Sequence, residues 1–289
     1  MKVLNFGSLN YDYVYHVEHA VVPGETISSV EMDVFCGGKG LNQSIALARA
    51  GILVYHAGLV GEDGDLFFEV CNKDNVDTSY IKQISGKSGH AIIQLDKKGQ
   101  NCIVLYGGSN KKITKQYVNE VLSGFTKGDF LLLQNEINHL DYIIEKAFEM
   151  GMKIILNPSP FNEELAKCDL EKVNIFLLNE VEGEAISGEK IPEKILEKLM
   201  RKFPQAEIVL TLGSKGILYG CGNQVLKQDI FKVKIVDTTA AGDTFTGYFV
   251  SCRIRGMSIK ETLKLCAKAA AMAVSKEGAS NSIPYIKEL

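Results

Sequence analysis

From residue 129 onward the chain alternates between two textures. DFLLLQ, KIILNPSP, VNIFLLNEVEGE and EIVLTLGSKG each begin with or contain a short, almost wholly apolar run. Between them, HLDYIIEKAFEMG and IPEKILEKLMRKF set apolar residues at helical intervals. A strand without polar alternation has to be covered on both faces, and the intervening amphipathic helices supply the covers. The expected class is therefore α/β, with a mostly parallel central sheet. Two stretches break the alternation. VYHVEHAVVPGETISSVEMDVF and AIIQLDKKGQNCIVL carry β-branched residues in period two, with turns at Pro23-Gly24 and Lys98-Gly99. They predict a small antiparallel sheet from about residues 11–35 and 88–107, standing beside a cleft. No linker, repeat or low-complexity segment interrupts residues 1–289, so one domain with a β appendage is expected.

Composition removes several function classes. The net charge is −3 and no block of five like charges occurs, which argues against a nucleic-acid partner. No apolar run approaches the roughly 20 residues of a membrane span. The opening, MKVLNFGSLNYDYV, lacks the layout of a secretory leader, so a cytoplasmic protein is expected. Seven cysteines, none in a CxxC pair, read as reduced thiols rather than a disulfide frame or a zinc site. The five histidines show no HxxxH or HExxH spacing, and neither GxGxxG nor GxxxxGK[ST] is present.

The chemistry concentrates in DTTAAGDTFTGYF, residues 237–249. Phe245, Tyr248, Phe249 and Cys252 recur at helical intervals, so Ala240, Ala241 and Gly242 lie at a helix N-terminus. Unpaired N–H groups and the positive end of the helix dipole favour an anion there. Asp243, set beside such a cradle, is placed to take a proton from an attacking hydroxyl. Taken alone, the stretch fits equally well a helix start with Asp243 as an ordinary N-cap. A second stretch, CGGKGLNQ at 36–43, precedes a helix that ends at Gly51. Its glycines let backbone approach a ligand, with Lys39 and Asn42 able to point at it, although a tight turn explains them too.

GGKGLNQ and DTTAAGDTFTG, in this order and at this separation, resemble the two signatures of the ribokinase-like, PfkB-type carbohydrate kinases. GSLNYD, NPSP, NEVE and TLGSKG resemble further blocks of that family, so the likeness covers nearly the whole chain. The resemblance implies a three-layer α/β/α sandwich with a β lid over the sugar, and transfer of the ATP γ-phosphate to a sugar hydroxyl. It implies sugar contacts from Asn10, Asp12, Gly38, Lys39, Asn42 and Glu136. Asp243 would be the base, and the N–H groups of Ala241, Gly242 and Asp243 the anion hole. Asn179 and Glu182 would act on Mg2+ through water. Thr211, Gly213, Ser214, Lys215 and Gly216 would line the ATP groove. Asp237, Thr239, Ala273, Gly278 and Ser282 would form a K+ site. Ribose is the expected acceptor, with fructose, a deoxy sugar acid or a nucleoside as alternatives, and a non-catalytic sugar- or nucleotide-binding protein as the rival of another class. Only Arg49 precedes residue 200, which speaks against a sugar phosphate. Tyr11, Tyr13 and Tyr15 alternate as strand residues do, and a homodimer joined through the lid is expected from such an exposed β edge.

Overall fold

Apolar runs that cannot face water on either side collect into one nine-stranded sheet. In spatial order its strands are Gln224–Gln228, Ile217–Cys221, Glu207–Thr211, Ile175–Asn179, Lys153–Asn157, Phe130–Gln134, Val3–Phe6, Val54–Val60 and Asp77–Gln83. All are parallel from Glu207–Thr211 to Asp77–Gln83. The hairpin 217–228 adds two antiparallel strands at one edge. This computed structural model describes residues 1–289. Two apolar clusters, one on each face of the sheet, form the core. No helix is long and apolar enough to cross a membrane.

The period-two stretches form a separate four-stranded sheet, in the order Glu31–Gly37, Asn10–Val17, Gly89–Asp96, Asn101–Tyr106. It differs from expectation in two ways. Residues 18–30 lie outside its strands. Its central pair is parallel, with Asn10 opposite Gly89 and Val17 opposite Asp96, so the sheet is mixed rather than antiparallel. The reason is topological: the two hairpins are joined through the central sheet, and the second enters from the same end as the first. Tyr11 also departs from the expected role at a subunit contact. It is buried, its ring packs tilted against Phe67 with centroids 4.4 Å apart, and its hydroxyl donates to the Asp63 carbonyl at 2.5 Å.

Two helices carry the cleft. Lys39–Arg49 follows directly on the strand Glu31–Gly37, and Ala241–Ile254 follows the loop after the edge hairpin. From Asp243 to Cys252 the second helix is buried on every side, as its lack of a polar face requires. Gly247 lets the two helices close: a Cβ there would lie 2.4 Å from Ala46 Cβ. That approach sets Asn42 and Gln43 against Asp243.

Candidate active site

Parallel strands bring their carboxyl ends to one edge, and ligands of α/β sheets bind there. Asn157, Asn179 and Thr211, each the last residue of its strand, line a cavity of about 230 Å³ together with Lys39, Gly242 and Asp243. Residues from far-separated stretches thus share one space.

Asp243 stands in the first turn of Ala241–Ile254 and is buried. It is not the N-cap. That position is Ala240, held in the left-handed region at φ 59°, which costs an L-residue about 1–2 kcal/mol. The Asp243 carboxylate accepts two charge-assisted bonds, from Asn42 Nδ2 at 3.0 Å and from Gln43 Nε2 at 2.9 Å. At the helix start the N–H of Ala241 closes a turn onto the Thr238 carbonyl at 3.3 Å, while those of Gly242 and Asp243 have no backbone partner. Gly242 is exposed, and a Cβ built on it would meet nothing within 4 Å. The anion cradle expected from three N–H groups therefore offers two.

Glu136, from the loop after Phe130–Gln134, approaches from the opposite side. Its Oε2 accepts from the Ser8 hydroxyl and from the Lys39 N–H, the latter at 2.9 Å. Burial holds its carboxyl above the usual carboxylate range, with Asp243 adding to the effect and Lys39 opposing it. Asp12 is raised to about 7, by burial first and then by Glu136. Burial works against the charge of Lys39, but Asp243, Glu136 and Glu182 outweigh it and raise the ammonium above its ordinary value. Lys39 thus stays cationic among three carboxylates. Asn10 is fixed by Asn110, whose Nδ2 donates to Asn10 Oδ1 at 2.7 Å, so the side-chain group left to Asn10 is a donor, Nδ2. Asn42 Oδ1 is buried with no partner. Gly38 turns the chain at φ 91°, and a Cβ there would lie only 3.3 Å from Asn10 Nδ2.

On the other side of the cavity Asn179 and Glu182 form a capping box for the helix Glu180–Ser187. Asn179 Oδ1 accepts from the N–H groups of Val181 and Glu182, and Glu182 Oε2 accepts from the Asn179 N–H at 3.1 Å. Glu182 keeps its second oxygen for other work. Thr211 Oγ1 donates to the Leu178 carbonyl. Gly213, Ser214 and Lys215 form an exposed 3-10 turn, Lys215 pairing with Glu180 at 3.2 Å, and Gly216 sits at φ 99° where a Cβ would strike the Gln228 carbonyl.

Asp237 binds the loop ahead of the second helix to the chain after the last one. Its Oδ1 accepts from the Thr239 N–H at 2.8 Å and its Oδ2 from the Gly278 N–H at 3.0 Å. The carbonyls of Thr239 and Gly278 take no backbone hydrogen bond, whereas that of Ala273 accepts from Lys276. Ser282 is buried, its hydroxyl on the Ala279 carbonyl.

Several functional groups escaped sequence reasoning. Gln43 and Ser8 sit inside or beside quoted motifs but were not singled out. Asn157, the last residue of its strand, lines the cavity and accepts from Gln43 at 3.2 Å. Asn110 has no motif signal at all.

Residues 1–286 match the family model described as pfkB family carbohydrate kinase. A ribokinase of Staphylococcus aureus is 36% identical over 301 residues, covering 100% of this chain and 98% of its own. The crystal structure of a ribokinase from Thermotoga maritima superposes with a TM-score of 0.88 at 33% identity, covering 99% of this chain and 97% of that one. An Arabidopsis thaliana ribokinase, solved in complex with ribose and ATP, gives a TM-score of 0.86 at 30% identity over 99% and 96% of the two chains.

Proposed function

Because the chain belongs to the pfkB family of carbohydrate kinases, phosphotransferases that act on an alcohol group, we propose that it moves the γ-phosphate of ATP to the primary hydroxyl of D-ribose, giving ribose 5-phosphate. One observation carries the reading: a buried carboxylate, Asp243, is held by two amide donors next to the two unpartnered N–H groups of a helix start.

Asp243 takes the proton of the attacking hydroxyl as the oxygen approaches the phosphorus. The N–H groups of Gly242 and Asp243 bind the oxygens of the transferring group, where charge builds up. Lys39, kept cationic by its acidic neighbours, faces the same charge. The sugar lies between Asp12, Glu136, Asn10 and Asn42. Carboxylates accept from its hydroxyls, Asn10 donates, and the unpartnered Asn42 Oδ1 accepts another. Asn179 and Glu182 fit Mg2+ held through water, since Glu182 retains one free oxygen. The ion, when bound, neutralises phosphate oxygens. Thr211, Gly213, Ser214, Lys215 and Gly216 lie where an ATP groove would pass. Asp237 and the free carbonyls of Thr239 and Gly278 suit K+, which would stiffen the loop ahead of the anion cradle, with Ala273 and Ser282 beside it.

The four-stranded sheet would serve as a lid that excludes water during transfer. Both of its faces carry exposed apolar side chains, among them Val34, Ile92 and Val104 on one face and Phe35, Ile103 and Leu105 on the other. A lone sheet with two apolar faces needs a cover on the side away from the sugar, and a second copy of the lid supplies it. The reading makes the protein a cytoplasmic homodimer.

The test is a panel of ribose, 2-deoxyribose, fructose and nucleosides with ATP and Mg2+, with and without K+. Ribose should show the highest kcat/KM; failure to phosphorylate any sugar would sink the proposal. Asp243→Asn should lower kcat by about 10²–10⁴-fold, the usual span for a lost general base, in a protein that still folds.

A further inference from the structure

Behind the base lies a row of polar side chains that no substrate reaches. Asn5, Gln43, Ser44, His56 and Gln134 are each fully buried, at 0% exposure. They come from three strands of the central sheet and from the helix Lys39–Arg49. An apolar core of the same volume would be as stable or more so, because every buried amide left unmatched is destabilising. Their presence needs another explanation.

The hydrogen bonds supply one. Gln43 Nε2 donates to Asp243 Oδ1 at 2.9 Å and to Asn157 Oδ1 at 3.2 Å. Gln134 Nε2 donates to Gln43 Oε1 at 2.7 Å and to Asn5 Oδ1 at 2.9 Å. Asn5 Nδ2 donates to the Gly40 carbonyl at 2.7 Å and to Ser44 Oγ at 2.8 Å. Both N–H bonds of all three amides are used. Ser44, having accepted from Asn5, gives its own proton to His56 Nδ1 at 2.8 Å. Burial pushes His56 down to about 4, against the pull of the Gly7 carbonyl, so the ring is neutral, and in the tautomer protonated at Nε2, a nitrogen with no hydrogen-bond partner, Nδ1 accepts.

The row therefore has a direction, set at both ends. At one end a carboxylate only accepts, so Gln43 must present nitrogen to it. At the other the Gly40 carbonyl only accepts, so Asn5 must present nitrogen too. Gln134 is forced between them, and its Oε1 is left with no partner as a result. A glutamine amide by itself can turn half a revolution at little cost, which here would set Gln43 Oε1 against the Asp243 carboxylate. Gln134 forbids that turn.

We propose that Gln134, Asn5, Ser44 and His56 are positioning residues that act through Gln43, locking its amide so that an N–H always faces the base and aims the carboxylate at the acceptor hydroxyl. The proposal rests on Asp243 being the base.

The test uses the full chain with ribose, ATP and Mg2+. Gln134→Glu keeps the size but turns a donor into an acceptor, which favours the reversed Gln43. Gln134→Met keeps the approximate volume and removes the donors. Gln134→Glu should lower kcat by about 10-fold or more, a loss of the size set by one hydrogen bond to a charged group. Gln134→Met should fall between it and the native enzyme, and KM for ribose and ATP should stay within about threefold in both. The side-chain amide resonance of Gln43, assigned through its loss in Gln43→Met, should be protected from exchange in the native protein and lose that protection in Gln134→Glu. If the Gln134 variants do not fold, Ser44→Ala carries the same readouts with a smaller loss. A native kcat in these variants, or a loss that tracks melting temperature whatever the polarity of the replacement, overturns the proposal. Asp243→Asn is measured alongside. If it stays active, the base assignment fails; if it is inactive while Gln134→Glu is native-like, the relay alone fails.

Discussion

The two walls of the cleft are built on opposite terms. On the side of Asp243 the donors are already spoken for: Asn42 and Gln43 hold the carboxylate, and Gln134 and Asn5 hold Gln43. On the side of Asp12 and Glu136 the polar groups are crowded but under-matched. Asp12 is pushed up to about 7, Glu136 is raised, and Asn42 Oδ1 lacks a partner. The first wall is organised before anything binds. On the proposed function the second is completed by what binds, since sugar hydroxyls would bring the donors those carboxylates lack. Preorganisation belongs where charge moves during the reaction, and unsatisfied acceptors belong where a neutral, hydroxyl-rich molecule must be held.

The contrast can be broken most directly at Asp12. Asp12→Asn should weaken ribose binding by about 10–100-fold, the value of a hydrogen bond to a charged group, and leave kcat at saturating ribose within a few-fold. Titration calorimetry and steady-state rates check this; a fall in kcat with unchanged affinity would place Asp12 on the wrong wall. A second substitution tests the rigid side. Gly247→Ala sets a methyl against Ala46, so the two helices must part. Overpacking of this kind costs about 1–3 kcal/mol. The loss should appear in denaturant melts and be accompanied by lower kcat rather than higher KM for ribose, because it is Gln43 that is drawn away from Asp243.

The smallest effect is in pH. Asp12 keeps its proton in the folded protein up to about 7 but would release it near 3.8 when unfolded. Between those values the folded state binds more protons, so this group's contribution to stability declines as pH rises through the window. Ribose hydroxyls favour the ionised carboxylate, so binding should release protons just below pH 7 and tighten a few-fold from pH 6 to 8. Calorimetry in buffers of different ionisation enthalpy reads the release; none at all would mean that Asp12 does not change its state on binding.

What the sequence disclosed follows the same division. The parallel strands were legible because FLLL, IIL and IVL are unbroken apolar runs with no polar residue to turn outward, and the helix start at Ala241 because Phe245, Tyr248 and Phe249 keep helical step. Strands Asp77–Gln83 and Gln224–Gln228 were not, since DTSYIKQ and QVLKQ are polar edge strands whose partners decide them. Glu136 and Asp12 could be placed only through resemblance. Gln134 and Asn5 stood in plain view, each a polar residue in an apolar strand, and that incongruity is the signal that could have found them. Their hydrogen bonds span as many as 129 residues of sequence, beyond the reach of any local pattern.

One junction has a mechanical meaning. The strand Val3–Phe6 of the large sheet is separated from the strand Asn10–Val17 of the small one by only Gly7, Ser8 and Leu9. Ser8 is tied to Glu136 and Gly40, and Asn10, next to Leu9, opens the second strand. On the proposed function the outer sheet is a long lever with its fulcrum at the ligand. A shift of a fraction of an ångström at Asn10 and Asp12 would swing the far tip through several times that distance, so a molecule as small as a pentose would command the whole flap by grasping it at the root.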